Sequence, residues 1–298
     1  IFGFFFSRNI WYVFDRLQGK LLPITLILLA CFFMVNPIWK INGFRMWTAT
    51  HIFIFGLLPY LCEGKKHMLI FCFGSMLVHF SFILPVTVLA SYMIFGNRLV
   101  FYFCFFIISA FIAEIDITMF NDIINSYLPE AFQERSSAYR GVETVEEFRT
   151  SVSDNNWYAI WYQTALNWSV IGFLCVLFFK GRTFFEDNKA WLNLFSFVLL
   201  FYGVANLISS IPSGGRYLVI ANLAALSLVM FYVQNQPQDR VMRRFIILSI
   251  PALLLYVVVA FRVGLYSMSA TAILGNPIIA FFTAGENISL NDVMRAIL

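Results

Sequence analysis

Long apolar runs constrain the fold of this chain more than any other feature of its sequence. Of its 298 residues, 60% are hydrophobic and 12% are charged, and the charged residues cluster between the runs. Soluble domains carry about a quarter charged residues, so a water-soluble fold could not hide this much apolar surface. A membrane barrel needs alternating segments of about ten residues, whereas these runs are continuous and longer. The sequence therefore predicts an all-α, polytopic integral membrane protein.

The apolar segments predict about ten or eleven transmembrane helices in one transmembrane domain, residues 1–298. The chain starts at Ile1 inside an apolar stretch, and we interpret it as a fragment of a longer protein. Segment 85–96 is too short to cross about 30 Å of hydrocarbon upright, so 67–96 forms either two passes or one helix kinked at Pro85. The segments are 1–14, 21–36, 47–62, 67–83, 85–96, 99–118, 157–179, 190–211, 217–233, 244–264 and, more weakly, 271–283.

The basic residues decide between one pass and two. Cytoplasmic loops are enriched in lysine and arginine. If 67–96 crosses twice, all the basic loops fall on one side, whereas a single pass would move the later ones away from Lys65 and Lys66. We therefore predict two passes and assign the basic side to the cytoplasm. The basic loops carry Arg16 and Lys20, Lys65 and Lys66, Arg98, Lys180 with Arg182 and Lys189, and Arg240 with Arg243 and Arg244.

The only long polar stretch, 119–156, then falls on the outer side as an extracytoplasmic loop. It contains a short helical pattern within 126–147, which we interpret as an amphipathic helix at the membrane surface. The outer side is rich in arginine, which the topology does not explain. A guanidinium binds phosphate or carboxylate through two parallel hydrogen bonds and stays charged when partly buried. The outer arginines are Arg45, Arg135, Arg140, Arg149 and Arg216.

Two of these arginines open helices within two residues of a glycine. One motif is Asn42-Gly-Phe-Arg45, and the other is Gly214-Gly215-Arg216. Glycine lets the backbone turn tightly and leaves room for a ligand, and a helix begins at its partly positive end. Both motifs are candidate anion sites. The alternative is that each arginine simply reaches up to the lipid headgroups.

Ionisable residues at the span ends supply further candidates. His79 lies near the outer end of its helix, shortly before Pro85, and a histidine can act as a base near neutral pH. His51 lies deeper, about two turns after Arg45. Glu114 and Asp116 close the helix before the long loop and can orient an arginine or bind a sugar hydroxyl. The alternatives are packed histidines and solvated acids at a helix end.

Several chemistries leave no trace in the sequence. There is no phosphate-binding P-loop, no Gly-x-Ser-x-Gly and no HExxH. The five cysteines form no CxxC pair or metal-binding spacing with histidine. The net charge of +4 arises from loops and does not indicate nucleic acid binding. We therefore expect neither a metal nor a cofactor.

The order of the motifs resembles the EpsG-type, Wzy-like polysaccharide polymerases. The resemblance covers about residues 36–264 and implies a GT-C-like helical fold. It rests on Asn42-Gly-Phe-Arg45 with Thr48-Ala49, the Lys65-Lys66 turn, Val78-His79-Phe80-Ser81 with Pro85, and Gly215-Arg216-Tyr217.

The resemblance implies that repeat units linked to a polyprenyl diphosphate are joined on the outer face of the bacterial inner membrane. Donor and acceptor glycans, membrane lipids, a chain-length regulator and a flippase would be the partners. A lipid diphosphate is a good leaving group, so the reaction mainly needs its departing charge stabilised.

In that hypothesis Arg45 and Arg216 grip the diphosphate, and Arg135 or Arg140 assists. Tyr217, Glu114 and Asp116 complete the substrate-binding residues. His79 is the base or orients the acceptor, and an acid of the long loop is the other candidate base. Two alternatives stay open: a glycolipid flippase or transporter, and a membrane O-acyltransferase that uses His79.

Overall fold

The computed structural model describes residues 1–17, 19–112, 157–209, 214–268 and 289–297. Every regular element in these ranges is helical, so the all-α prediction is confirmed. Short 3₁₀ turns lie at Ile38–Gly43, Lys66–Met68 and Phe80–Phe82. The helices are α1 Phe2–Arg16, α2 Pro23–Val35, α3 Phe44–Glu63, α4 Leu69–Val78, α5 Ile83–Phe95, α6 Leu99–Ile112, α7 Trp157–Lys180, α8 Arg182–Asp187, α9 Lys189–Ser209, α10 Arg216–Asn235, α11 Arg240–Ser267 and α12 Leu290–Ile297.

Recognisable local signals set several helix boundaries. Pro23 opens α2, where its missing N–H costs nothing. The Asp239 carboxylate accepts hydrogen bonds from the backbone N–H groups of Val241 and Met242 at 2.9 and 3.1 Å and so caps α11. Gly96 follows α5 with a φ of +64°, which only glycine adopts without strain.

Many of these helices are long and apolar enough to cross a membrane. Among the described residues, three shorter apolar helices accompany five candidate spans. The total of ten or eleven transmembrane helices stays a prediction. Segment 271–283 and the loop 119–156 lie outside the described residues. The five candidate spans are Pro23–Lys40, Trp161–Lys180, Lys189–Ser209, Arg216–Asn235 and Arg240–Ser267.

The stretch 67–96 reverses direction at His79, as the charge pattern predicts. Helix α4 returns alongside α3. The two approach closely at Gly56, where an added Cβ would lie 2.6 Å from the carbonyl oxygen of Met68. After the turn, Ser81 lies beside Met46 at the start of α3, with 3.5 Å between hydroxyl and sulfur. The chain then runs back through α5. Residues 67–96 therefore form two antiparallel helices.

A chain of contacts joins the basic helix ends on one face, which we call the basic face. Arg16 at the end of α1 pairs with Glu63 at the end of α3. On the other side of the bundle, the Asn97 amide after α5 donates to the Asn193 amide oxygen near the start of α9 at 2.7 Å. The ends of α9 and α10 are joined by the rings of Trp191 and Phe231, and Gln234 donates to the Lys20 carbonyl.

Helix α10 is the most enclosed element of the described chain. Every residue from Ile220 to Val233 is buried, and the helix contacts α2, α3, α7 and α9. A helix that is apolar on all sides belongs in the centre of a bundle. Its first residue, Arg216, therefore stands on a rigid support at the face opposite the basic face. We call this opposite face the site face.

Cysteine labelling tests this topology in a variant whose exposed Cys104 is replaced by alanine. We expect Lys66→Cys and Asn188→Cys, both on the basic face, to react with an impermeant thiol reagent only in inverted vesicles. Ile38→Cys on the site face should react only in intact cells. Opposite accessibility of Lys66→Cys and Asn188→Cys would contradict the reversal at His79, and reaction of both in intact cells would invert the assignment of the two faces.

Candidate functional site

The break between α4 and α5 positions His79. Its backbone is extended, with φ −148° and ψ 120°, so it ends one helix and precedes the 3₁₀ turn Phe80–Phe82. The imidazole caps this turn, because its Nδ1 accepts a hydrogen bond from the Ser81 backbone N–H at 3.3 Å. The side chain of His79 is therefore fixed by the same break that brings it to the site face.

Two arginines approach this imidazole from other helices. Ser81 of the α4–α5 turn contacts Met46, next to Arg45 in α3, and Tyr217, next to Arg216 in α10, so the three elements meet beside His79. The positive charges of both arginines act on its imidazole. Both arginines are exposed. Within the described ranges, neither forms an ion pair with a carboxylate. Arg216 also opens α10, where the helix dipole adds positive potential. The cluster is suited to bind an anion.

Ser81 connects the parts of this cluster. Its hydroxyl lies 2.5 Å from Nδ1 of His79 and 3.5 Å from the sulfur of Met46. Its carbonyl oxygen accepts a hydrogen bond from the Tyr217 hydroxyl at 3.0 Å. Through this one residue, the turn that carries His79 is tied to the helices that begin at Arg45 and Arg216.

These hydrogen bonds determine which nitrogen of His79 carries the proton. A backbone N–H can only donate, so Nδ1 must offer its lone pair to Ser81, and the neutral ring carries its hydrogen on Nε2. Burial lowers the pKa of His79, and the charges of Arg216 and Arg45 lower it further. His79 is therefore neutral near pH 7 and presents an Nε2–H donor.

The backbone before Arg216 packs closely against its surroundings, as the sequence motif predicts. Only one of the two glycines occupies a position where a side chain would clash. A Cβ on Gly214 would lie 1.7 Å from the carbonyl oxygen of Ile208, whereas a Cβ on Gly215 would meet nothing within 4 Å. Gly214 therefore allows the end of α9 and the start of α10 to approach closely.

The structure brings Arg45, His79, Arg216 and Tyr217 together, all four of them predicted from the sequence. The remaining predicted site residues lie outside the described residues. They are Glu114, Asp116, Arg135 and Arg140.

His51 lies apart from the cluster and is fully engaged in packing. Its Nε2–H donates to the Asn36 carbonyl at 3.0 Å, and its Nδ1 accepts from the Asn9 amide at 3.3 Å. The rings of Phe2 and Phe6 contact its imidazole edge to face. His51 is therefore a structural residue that links α1 and α3 to the end of α2.

Ser81 is the residue that sequence reasoning did not assign to the site. The sequence indicates a helix end there, but its link to Tyr217 joins residues 136 positions apart. One local signal was available. A serine two residues after a histidine, next to a helix break, is well placed for short-range hydrogen bonds between side chain and backbone.

The fold defines the class of protein as a helical, multi-pass membrane protein. Among the described residues, no group of three histidine, cysteine, aspartate or glutamate side chains could hold a metal ion. The chain matches no known protein family, no curated protein and no solved structure. Its function must therefore be argued from the chemistry of the site.

The two glycines provide a matched pair of variants. We expect Gly214→Ala to lower the thermal stability of the detergent-solubilised protein, because overpacking typically costs about 1–3 kcal/mol. Gly215→Ala should leave it near that of the wild type, since its Cβ meets open space. Thermal unfolding of both variants measures the difference. Equal stability would show that the backbones do not approach as closely as described.

Histidine nitrogen NMR tests the state of His79, since the chain contains only three histidines. We expect the Nε2–H tautomer and a titration midpoint below the ordinary value. Arg216→Gln should raise the midpoint, because losing a positive neighbour stabilises the imidazolium. Ser81→Ala should keep the Nε2–H tautomer, because alanine retains the backbone N–H that donates to Nδ1. Arg262→Gln on the site face is the control and should leave the midpoint unchanged. A wild-type Nδ1–H signal would contradict the hydrogen-bond assignment.

Proposed function

We propose that the protein polymerises polyprenyl-diphosphate-linked oligosaccharide repeat units into a capsular, exo- or O-antigen polysaccharide. The convergence of Arg45, His79 and Arg216 at the site face, where Ser81 contacts both Met46 and Tyr217, carries this proposal. Two guanidiniums and one neutral N–H donor, without a carboxylate pairing partner among the described residues, suit a diphosphate. The resemblance of the motifs to EpsG-type, Wzy-like polymerases agrees with this chemistry.

The reaction would be a glycosyl transfer between two lipid-linked chains. The acceptor hydroxyl oxygen attacks the anomeric carbon of the donor, and the bond from that carbon to the phosphate oxygen breaks. The electron pair leaves with the diphosphate, and the hydroxyl proton passes to a base. Preorganised donors that receive the departing charge lower the barrier most. Arg45 and Arg216 supply these donors in the proposed reaction.

His79 fits better as a donor than as the base of this reaction. A base needs a free lone pair, and the single lone pair of Nδ1 already accepts a hydrogen bond from the Ser81 N–H. Its Nε2–H can instead donate to a phosphate oxygen or to an acceptor oxygen and so orient the substrate. The proton would then pass to the carboxylate of an aspartate or glutamate, for which the loop 119–156 supplies candidates.

The cellular setting follows from the same proposal. The site face would be the outer face of a bacterial inner membrane, because the basic face obeys the rule for cytoplasmic loops. We propose a GT-C-like arrangement of the helices, with donor and acceptor glycans as substrates. A flippase would deliver the units, and a chain-length regulator would act on the product.

The two alternatives receive less support. Transport needs polar groups along a path, whereas among the described residues a hydrogen-bonded chain of polar side chains within the spans lies between packed helices. In it the Tyr202 hydroxyl donates to Asn222 at 2.9 Å, and Asn222 donates to Asn167 at 2.8 Å. Asn222 is only 4% exposed, so this chain holds helices together. For an O-acyltransferase, nothing within the described ranges points to an acyl-donor site.

Lysine variants of the two site arginines test the proposed role in a reconstituted polymerisation assay. We expect Arg45→Lys and Arg216→Lys each to lower turnover by about ten- to a hundredfold, because lysine keeps the charge but lacks the planar fork. Arg262→Lys, an exposed arginine near the same face, is the matched control and should retain activity. Normal chain growth by both site variants would remove the arginines from the mechanism.

The same assay separates the candidate functions. Purified protein in vesicles should convert lipid-linked single units into a ladder of longer chains without nucleotide sugar. Cells that lack the protein should accumulate single units on the outer leaflet. Accumulation on the inner leaflet would instead indicate a flippase, and the absence of any ladder would reject the polymerase proposal.

A further inference from the structure

A second candidate site lies on the basic face, far from the cluster around His79. A cavity of about 360 Å³ opens between the ends of α1 and α3 and the turn that joins α3 to α4. Its polar wall contains Asp15 and Arg16 from α1, Glu63 from the end of α3, and Lys65 and His67 from the turn to α4. Nothing in the proposed polymerase reaction uses these residues.

The charges in this cavity are arranged asymmetrically. Glu63 pairs with Arg16 and also with Lys65, the latter at 2.6 Å. One carboxylate between two cations leaves one positive charge, which suits the single charge of a phosphodiester. The Arg16 guanidinium lies 4.6 Å from the centre of the Tyr12 ring, and this contact restricts its orientation.

Asp15 supplies the opposite charge at the same cavity. It is exposed, and among the described residues it forms no ion pair. Because Asp15 and Arg16 both line the cavity, a carboxylate without an ion pair lies at the same opening as the excess positive charge. A ligand that carries both a phosphate and an ammonium group would satisfy the two charges at once.

An apolar part of the cavity wall runs along α3. It includes Phe55 and Pro59, which lie two turns and one turn before Glu63, toward the interior of the bundle. The Phe55 ring packs edge to face against Phe5 and Phe71, so this wall is firmly held. Such a wall suits the first carbons of acyl chains rather than a small soluble ion.

We propose that this cavity binds the headgroup of a zwitterionic glycerophospholipid that carries a primary ammonium, as phosphatidylethanolamine does. Lys65 and Arg16 contact its phosphate, and Asp15 accepts hydrogen bonds from its ammonium. A trimethylammonium has no N–H to donate, so phosphatidylcholine loses the contact with Asp15. Phosphatidylglycerol lacks the ammonium altogether.

Native mass spectrometry of the full chain in detergent tests the proposal, with the three lipids added separately at equal concentration. We expect phosphatidylethanolamine to be retained about two- to fivefold more than phosphatidylcholine or phosphatidylglycerol, a ratio within the range of an exposed charge pair. Equal retention of the three lipids would overturn the proposal.

Two pairs of variants identify the residues responsible. Asp15→Asn should abolish the preference for phosphatidylethanolamine over phosphatidylcholine, whereas Asp187→Asn, an exposed acid elsewhere on the basic face, should keep it. Lys65→Gln should weaken retention of all three lipids, whereas Lys66→Gln, its neighbour outside the cavity wall, should not. An unchanged preference in Asp15→Asn, with wild-type stability, would reject the assigned headgroup contact.

A soluble competitor identifies the source of the ligand. Glycerophosphoethanolamine, a phosphodiester, carries the same two charges without acyl chains. At matched concentration it should displace little bound phosphatidylethanolamine, because it cannot use the wall formed by Phe55 and Pro59. Full displacement would mean that the cavity recognises a small soluble zwitterion and would overturn the lipid assignment. None of these measurements depends on polymerase activity.

Discussion

Backbone polar groups within an apolar medium must find partners, and this constraint shapes the site of the protein. A break in a helix leaves N–H and carbonyl groups exposed. At the break between α4 and α5, the N–H of Ser81 bonds to the His79 imidazole, and its carbonyl accepts from the Tyr217 hydroxyl. The residues that satisfy the break are thus the residues that surround the candidate anion site. The same hydrogen bonds therefore satisfy the backbone groups at the break and position His79.

Much of the helical architecture could be predicted because it depends on local composition. Apolar runs and charged gaps specify the helices, and the distribution of lysine and arginine specified the reversal at His79. The structure of the short connections between helices was harder to predict from the sequence. Helix α8, Arg182–Asp187, lies in a stretch that the sequence suggested only as a basic loop. Six residues carry too little periodicity to distinguish a helix from a polar turn.

The site was predictable in part for a related reason. Arg45 and Arg216 follow glycines at helix starts, and His79 lies near a proline, so each leaves a local mark in the sequence. Ser81 leaves almost none, because its importance lies in a contact with a helix far along the chain. The same holds for the basic-face cavity. Its asymmetry appears only when Asp15 of α1 is placed beside Glu63 of α3.

The hydrogen bond between Tyr217 and Ser81 also has a consequence for biosynthesis. Residues 1–112 contain Arg45, His79 and Ser81, and they leave the ribosome well before residue 216 is made. Domains generally fold as they emerge, from the N-terminus onward. Until α10 enters the bundle, the carbonyl of Ser81 lacks this partner and the cluster lacks its second guanidinium. A truncated translation product therefore inserts helices but holds an unfinished site, so completion of the chain and assembly of the charge cluster coincide.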